Sequence, residues 1–201
     1  MLGSPHHPER PPGMTMDKLR IERAVHEILA AIGEDPEREE LRETPKRVAE
    51  ACEAIFSGVG DDPARYLEEA FEGDHRDLIL IRDIPLYSMC EHHLVPMVGK
   101  AHVGYVPDGK VIGLSEIVNI VEAYARRPQI QERLTAQIAD LLFDGLGSRG
   151  SMVVIEAEQL CMTLLGSQKP GSVTVTSASR GVFEEDGGKR AEFTTLMRPP
   201  G

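Results

Sequence analysis

The sequence predicts an α+β domain in which an antiparallel sheet carries helices on one face. Two observations predict it. Apolar residues recur at helical spacing through the N-terminal third, and beyond that the chain reads as strands, two helices, then strands again.

Residues 1–16 are rich in Pro, His and Gly without periodicity and read as a disordered N-terminal arm, with His6 and His7 in a solvated tail rather than on a metal. From Asp17 the positions Ile21, Ala24, Val25, Ile28, Leu29 and Ile32 trace one helical face, and Gly33 supplies a C-terminal stop. Thr44 and Pro45 read as the N-cap and first turn of a second helix that runs through Val48, Cys52 and Ile55 to Gly58. Residues 17–75 are therefore mainly helical, and residues 76–201 carry the sheet.

Leu78 to Ile81 begins a strand leading toward Tyr87. Lys100 to Val106 alternates, and Asp108-Gly109 turns the chain into Lys110 to Gly113 as a hairpin would. Ser115 is placed to cap a helix ending near Arg126, and Pro128 opens another through Ile130, Leu134, Ile138 and Leu142 to Gly145. Ser151 to Ala157, Leu160 to Leu165 and Ser172 to Phe183 read as the remaining strands. No internal repeat interrupts residues 17–201, which read as one domain.

The 201 residues suffice for a sizeable core, and the apolar fraction of 41% is ordinary for a globular chain. A formal charge of −11 argues against a nucleic-acid partner but does not forbid a nucleotide substrate. No run of apolar residues is long enough to span a membrane, and Pro and His occupy the place of a secretory hydrophobic segment, so the cytoplasm is expected. Of three cysteines, Cys52 lies on the apolar side of the second helix and reads as a buried free thiol, which implies a reducing compartment.

The other two cysteines carry chemistry. Cys90-Glu91-His92-His93, answered far along the chain by Cys161, offers sulfur and imidazole ligands for one zinc ion. Three protein ligands leave the fourth tetrahedral position to water, whose pKa the metal lowers to about 7. Neighbouring side chains on extended backbone point to opposite faces, so His92 is left beside the metal to move protons while His93 ligates. On spacing alone another reading stands beside this one: two ordinary buried cysteines and two histidines on a solvated turn, since no C-x-x-C pair is present.

Longer blocks bear on that choice. Thr44-Pro45-Lys46-Arg47, Ser88 to His93, Val111-Ile112-Gly113-Leu114-Ser115, Arg127 to Leu134, Glu158-Gln159-Leu160-Cys161-Met162, Thr174 to Ser177 and Arg190-Ala191-Glu192-Phe193 together resemble the GTP cyclohydrolase I family over about three quarters of the chain. The resemblance implies zinc ligands at Cys90, His93 and Cys161 and a catalytic histidine at His92. It implies that Gln131 and Glu132 read a guanine base, that Leu114 and Ile130 line its pocket, and that Arg47, Ser115 and Gln159 also face the substrate. It further implies a tunnelling-fold subunit whose barrel closes by oligomerisation, in a homodecamer with active sites between subunits. The activity implied is hydrolysis of a cyclic amidine C–N bond, converting GTP to dihydroneopterin triphosphate and formate in pterin-related metabolism.

Departures from the family pattern limit how far this carries. Gln159 stands where the family has a second catalytic histidine, and an amide does not titrate. Glu50, Glu116, Asn119 and Leu165 stand where the family places cations around the triphosphate. The expected function is therefore that of a divergent member: a zinc-dependent cyclohydrolase that opens the imidazole ring of a guanine-type purine by zinc-water attack at C8, on a substrate with fewer phosphates than GTP. Two alternatives accompany it: an enzyme that stops at a ring-opened formamide in a specialised pathway, and a non-catalytic paralogue that binds a purine or assembles with another subunit. Retention of His92 beside a full ligand set speaks against the second.

Overall fold

A computed structural model describes residues 16–165 and 171–198. The arm read at 1–16, apart from Met16, lies outside the described residues, as do His6, His7 and the side chain of Leu165. The chain divides into two compact units, residues 1–61 and 62–201.

In the first unit α1 spans Lys18–Ala31, with the Asp17 carboxylate accepting from the Arg20 N–H at 2.9 Å, and Gly33 follows at φ +91°, a backbone state that favours glycine. Helix α2 spans Thr44–Ile55 with Pro45 in its first turn. Thr44 is its first helical residue and not its cap. Glu43 holds the cap position with φ −90° and ψ −6°, whereas a capping side chain needs extended backbone, and no side-chain cap bond forms. Lys18 and Glu53 tie the two helices at 2.6 Å. Cys52 is free but only half-buried, against the expectation of full burial, because a pair of helices offers too little apolar surface to enclose it.

The second unit opens with a 3₁₀ turn, Pro63–Leu67, and continues as β1 (Phe71–Glu72), β2 (Ile79–Cys90), β3 (Pro96–Val106), β4 (Lys110–Val111), α3 (Leu114–Ala125), β5 (Pro128–Gln129) and α4 (Gln131–Asp140). A π-helical turn, Leu141–Gly145, extends α4; then come β6 (Gly150–Gln159), a second π-helical turn at Cys161–Leu165, β7 (Val173–Gly181), α5 (Val182–Glu185) and α6 (Gly187–Met197). The main sheet runs β5-β2-β3-β6-β7; its four long strands are antiparallel, and the two-residue β5 runs parallel to the end of β2. This is the α+β class read from the sequence.

Several local readings change. Pro128 does not open α4: Pro128–Gln129 pairs with Met89–Cys90 as β5, and the helix begins at Gln131. Lys110–Val111 pairs with Phe71–Glu72 rather than returning along β3, because β2 and β6 already occupy both edges of β3. The apolar run after Gln159 is a helical turn and not a strand: the Thr163 hydroxyl donates to the Glu158 carboxylate at 3.0 Å, and a short apolar run carries no period to choose between the two states. Gly113 and not Ser115 caps α3; its carbonyl accepts from Glu116 and Ile117, and Ser115 lies one residue inside the helix.

Helices α3 and α4 cover one sheet face through Ile117, Ile120, Val121, Leu134 and Ile138, packed on Leu86, Val103, Tyr105, Val153 and Ile155. The alternate residues Met152 and Val154 join Phe183 and Phe193 in a smaller cluster under α5 and α6, as the two-residue period of a strand requires. Among the described residues no helix is long and apolar enough to cross a membrane.

Strand β2 is irregular between Ile81 and Ile84, where Asp83 takes φ +59°. The Asp83 N–H donates to Nδ1 of buried His102 at 3.2 Å, and the Arg82 guanidinium donates to the Leu196 and Arg198 carbonyls, which fastens the end of α6. Burial holds the His102 pKa below its ordinary value, against the pull of Asp83 and Glu156 and with the push of Lys100 and Arg82. A lowered folded pKa means that the unfolded chain binds the extra proton. The stability this neutral histidine supplies is thus complete above about pH 6.5 and is lost as pH falls through the folded value. Thermal unfolding followed at pH 7.5 and at pH 5.5 should show a smaller acid loss for His102→Leu than for the parent; equal losses would remove His102 as the group responsible.

Candidate active site

Strand β2 ends at Cys90, and the chain turns at once into β3. The Cys90 N–H donates to the Val95 carbonyl at 2.9 Å, the Leu94 N–H to the Cys90 carbonyl at 2.8 Å, and Leu94 takes φ +52° to close the turn. This folds His93 back over Cys90, with Nδ1 3.9 Å from Sγ. Strand β6 runs antiparallel to β3 with Gln159 opposite Met97, which delivers Cys161 to the same end of the sheet. The three ligand atoms lie within 4.8 Å of one another. Around a tetrahedral metal with bonds of about 2.0–2.3 Å, ligand atoms stand roughly 3.3–3.8 Å apart, so small side-chain rotations complete the fit.

The donor set itself asks for a cation. Burial pushes the Cys161 thiol pKa up and neighbouring Cys90 adds to the shift, so a positive ion beside the Cys161 sulfur would favour its thiolate. All three cysteines are free of disulfides.

His92 is exposed and outside the ligand group; its ring stands edge-on to that of His93, 77° between planes and 6.3 Å between centroids. Behind it lies Glu91. One Glu91 oxygen is 3.9 Å from Nε2 of His92, the other accepts from the Arg133 guanidinium on α4, and the Glu91 N–H donates to the Gln129 carbonyl at 3.0 Å. Sequence reasoning assigned Glu91 and Arg133 no role. The available signal was their type: charged side chains inside closely matched blocks next to metal ligands need a partner if they are to be covered.

The first turn of α4 is engaged on both sides of Glu132. Gln131 is buried; its amide nitrogen donates to the Ile155 and Thr174 carbonyls and to the Thr176 hydroxyl, and its oxygen accepts from Gln159 at 2.6 Å. Between this tie and the Arg133–Glu91 pair, Glu132 is exposed and its carboxylate has no hydrogen bond or ion pair among the described residues. Gln159 is thus bonded to Gln131, two residues before the ligand Cys161. Ile130 is half-buried just ahead of α4.

Leu114 and Ser115 start α3, both exposed. The Ser115 hydroxyl and the Asn119 amide each donate to the Glu116 carboxylate at 3.2 Å, which holds a negative charge on that helix face. Ser115 and Glu116 border an open cleft of about 570 Å³ that is also lined by Arg65, Glu68 and Glu69. Arg47 and Glu50 are exposed on α2, in the first unit. The structure therefore brings Cys90, His93 and Cys161 together, sets His92 beside His93, and bonds Gln131 to Gln159 two residues before Cys161; Leu114 and Ser115 stand at the start of α3, and Arg47 belongs to the first unit.

This arrangement, two sulfurs and an imidazole around a point with a further histidine beside them outside the ligand group, suits metal-assisted hydrolysis. The sequence profile of GTP cyclohydrolase I matches residues 21–198. The chain is 56% identical over 183 residues to a GTP cyclohydrolase 1 of Carboxydothermus hydrogenoformans, covering 90% of this chain and 95% of the relative. It is 56% identical over 180 residues to that of Geobacillus kaustophilus, covering 89% and 96%, and 57% identical over 183 residues to that of Mycobacterium ulcerans, covering 90% and 91%. A profile match that takes in the cysteine-histidine loop, α4 and Cys161, together with relatives this similar along nearly their whole length, shows that the chain belongs to the GTP cyclohydrolase I family.

Proposed function

We propose that this chain is a zinc-dependent cyclohydrolase that opens the imidazole ring of a guanine-type purine at C8. The observation that carries the reading is the convergence of Cys90, His93 and Cys161 within 4.8 Å, with His92 beside them and outside the ligand set. Zinc held by these residues would supply a Lewis acid and an activated water at neutral pH.

The protein's own groups do the rest. Glu132, unpaired and exposed at the start of α4, can accept from two adjacent N–H groups on a guanine edge, a pattern that adenine does not present. His92 moves the proton to the departing ring nitrogen. Leu114 and Ile130 supply apolar surface for the base. Gln159, bonded to Gln131, orients by hydrogen bonding and does not titrate. The family resemblance assigns the Ser115 hydroxyl, at the start of α3, to the sugar-phosphate end, and assigns Arg47 to the same ligand group.

The charge at that end favours a substrate with fewer phosphates than GTP. Glu116 is held on the α3 face by two donors, Asn119 brings no charge, and Glu68 and Glu69 line the adjoining cleft. Each added phosphate brings negative charge toward carboxylates, an unfavourable approach in a poorly screened cleft. Self-association belongs to the same reading: β7 ends the sheet with one edge unpaired, and Val173 and Val175 are 57% and 59% exposed. A second copy would cover them, in the homodecamer that the family resemblance implies.

Metal analysis of the purified protein should give about one zinc per chain, and Cys161→Ser should lose zinc and activity together; full occupancy in that variant would show a wrong ligand set. Glu132→Gln should lower kcat/KM on the guanine substrate by at least about 100-fold with zinc content and assembly unchanged, because an amide N–H would face the donors that the carboxylate accepts. Parent-like turnover would reject Glu132 as the base reader. Across guanosine, GMP and GTP at two salt concentrations, kcat/KM should not favour GTP, and Glu116→Lys should raise GTP affinity. A preference for GTP that weakens with salt would mean that other cations serve the phosphates.

A further inference from the structure

The Glu91–Arg133 pair lies within the neighbourhood just described, and neither the metal nor the base requires it. Arg133 is 18% and Glu91 27% exposed, so both charges are largely withdrawn from water. Withdrawn charges cost several kcal/mol unless paired, and this pair is extended into a chain of polar contacts. The Arg133 Nε–H donates to the Gln129 side-chain oxygen at 3.0 Å; the Gln129 amide, 1% exposed, donates in turn to the Tyr124 carbonyl at 3.0 Å and to Gln137 at 2.9 Å. Arg133, Gln129, Gln137 and Tyr124 lie on α4, β5 and α3, and the chain ends at the one Glu91 oxygen that Arg133 leaves open. That oxygen faces His92 Nε2 across 3.9 Å. His92, 66% exposed, has no other ion-pair or hydrogen-bond partner among the described residues, its remaining contact being the edge-on ring of His93.

We propose that Arg133 and Glu91 are positioning residues for His92: Arg133 fixes the Glu91 carboxylate, and the free oxygen of that carboxylate draws the His92 Nε2–H toward itself and leaves Nδ1 as the proton-accepting nitrogen. The inference rests on the proposed role of His92 as the proton-moving group. A mobile, solvent-exposed imidazole samples many orientations, whereas a carboxylate anchored to the protein interior selects one ring orientation and one tautomer. Two further features fit. The Glu91 N–H is bonded to the Gln129 carbonyl, so its backbone is held to β5 while its side chain is held to α4 through Arg133. And the anchor on α4 is the residue next to Glu132, so a single helical turn would set the positions of the base-reading carboxylate and of the proton-moving histidine relative to each other.

The test uses the full-length zinc-loaded protein. Arg133→Met and Glu91→Ala should lower kcat about 10–100-fold, leave KM within about threefold, and keep zinc content at the parent level, with Arg133→Lys recovering part of the loss. A purely structural contribution would move KM or zinc content as well and would not depend on His92. Some loss of thermal stability is expected in either case, because each variant strands a withdrawn charge. A double-mutant cycle separates the cases further: in a His92→Ala background, Glu91→Ala should cost nothing more, because its effect acts through the missing imidazole. Nitrogen-15 spectra of the histidines read the same contact without turnover, with His92 mainly in the Nε2–H form in the parent and mixed in Arg133→Met. An unchanged His92 spectrum, or an equal proportional loss in both backgrounds of the cycle, overturns the proposal. Parent-level activity of His92→Ala would instead overturn the assigned role of His92, and the spectra would still report whether the pair positions its ring.

Discussion

The pairing of β3 with β6 fixes where everything else in the site must stand. Met97 opposite Gln159 and Gly99 opposite Ala157 set the register that brings Cys161, just past the end of β6, to the turn carrying Cys90 and His93. Side chains alternate along a strand, so a one-residue slip would send each inward residue outward and carry Cys161 away from its partners. Gly99 guards the close approach: a Cβ there would lie 2.0 Å from the Glu156 carbonyl oxygen, a contact no side-chain-bearing residue can make without moving a strand. The residues that hold the register, Ala101, Val103, Val153 and Ile155, are buried in the core under α3 and α4, so the metal geometry depends on the same packing as the fold.

Helix α4 carries this constraint from the sheet to the substrate side. Its apolar residues Leu134 and Ile138 pack in the core, and its first turn is fastened at two points, through Gln131 to β6 and β7 and through Arg133 to the loop after β2. Between those points the Glu132 carboxylate has no hydrogen bond or ion pair among the described residues. An unpaired carboxylate beside two fully engaged neighbours is poised to recognise donors, because folding has already ordered its backbone and binding has only to satisfy its charge. The acidic character of the α3 face works differently: Glu116 is held by Ser115 and Asn119, residues of its own helix, so its carboxylate is built into the cleft wall.

The α+β class, both N-terminal helices and the long strands were legible because periodicity is a local property of the chain. The misread segments are those in which a neighbour made the decision. Lys110–Val111 looked like the return arm of a hairpin, yet no edge of β3 was free to receive it. Leu160 to Leu165 looked like a strand because an apolar run of that length carries no period, and the Thr163 hydroxyl bond to Glu158 belongs to a turn instead. Ser115 had the composition of a cap, but Gly113 with extended backbone took the position two residues earlier.

At the candidate site the sequence by itself determined the chemistry: two cysteines, two adjacent histidines and a carboxylate, in blocks whose residue types are those of one enzyme family. Which of those groups are engaged and which are free was decided only by tertiary structure. Gln131 and Glu132 are neighbours of similar size, and nothing in their order says that the amide is buried in four hydrogen bonds while the carboxylate stands open. Likewise Glu91 and Arg133 are far apart in the chain and meet only because β5 lies alongside the end of β2 and delivers α4 to that edge. Residue type sets what a side chain can donate, accept or ligate, and the partners that use up that capacity come from distant parts of the chain. For this protein the types of the groups at the candidate site were therefore local information, and which of them are left unengaged was a property of the fold.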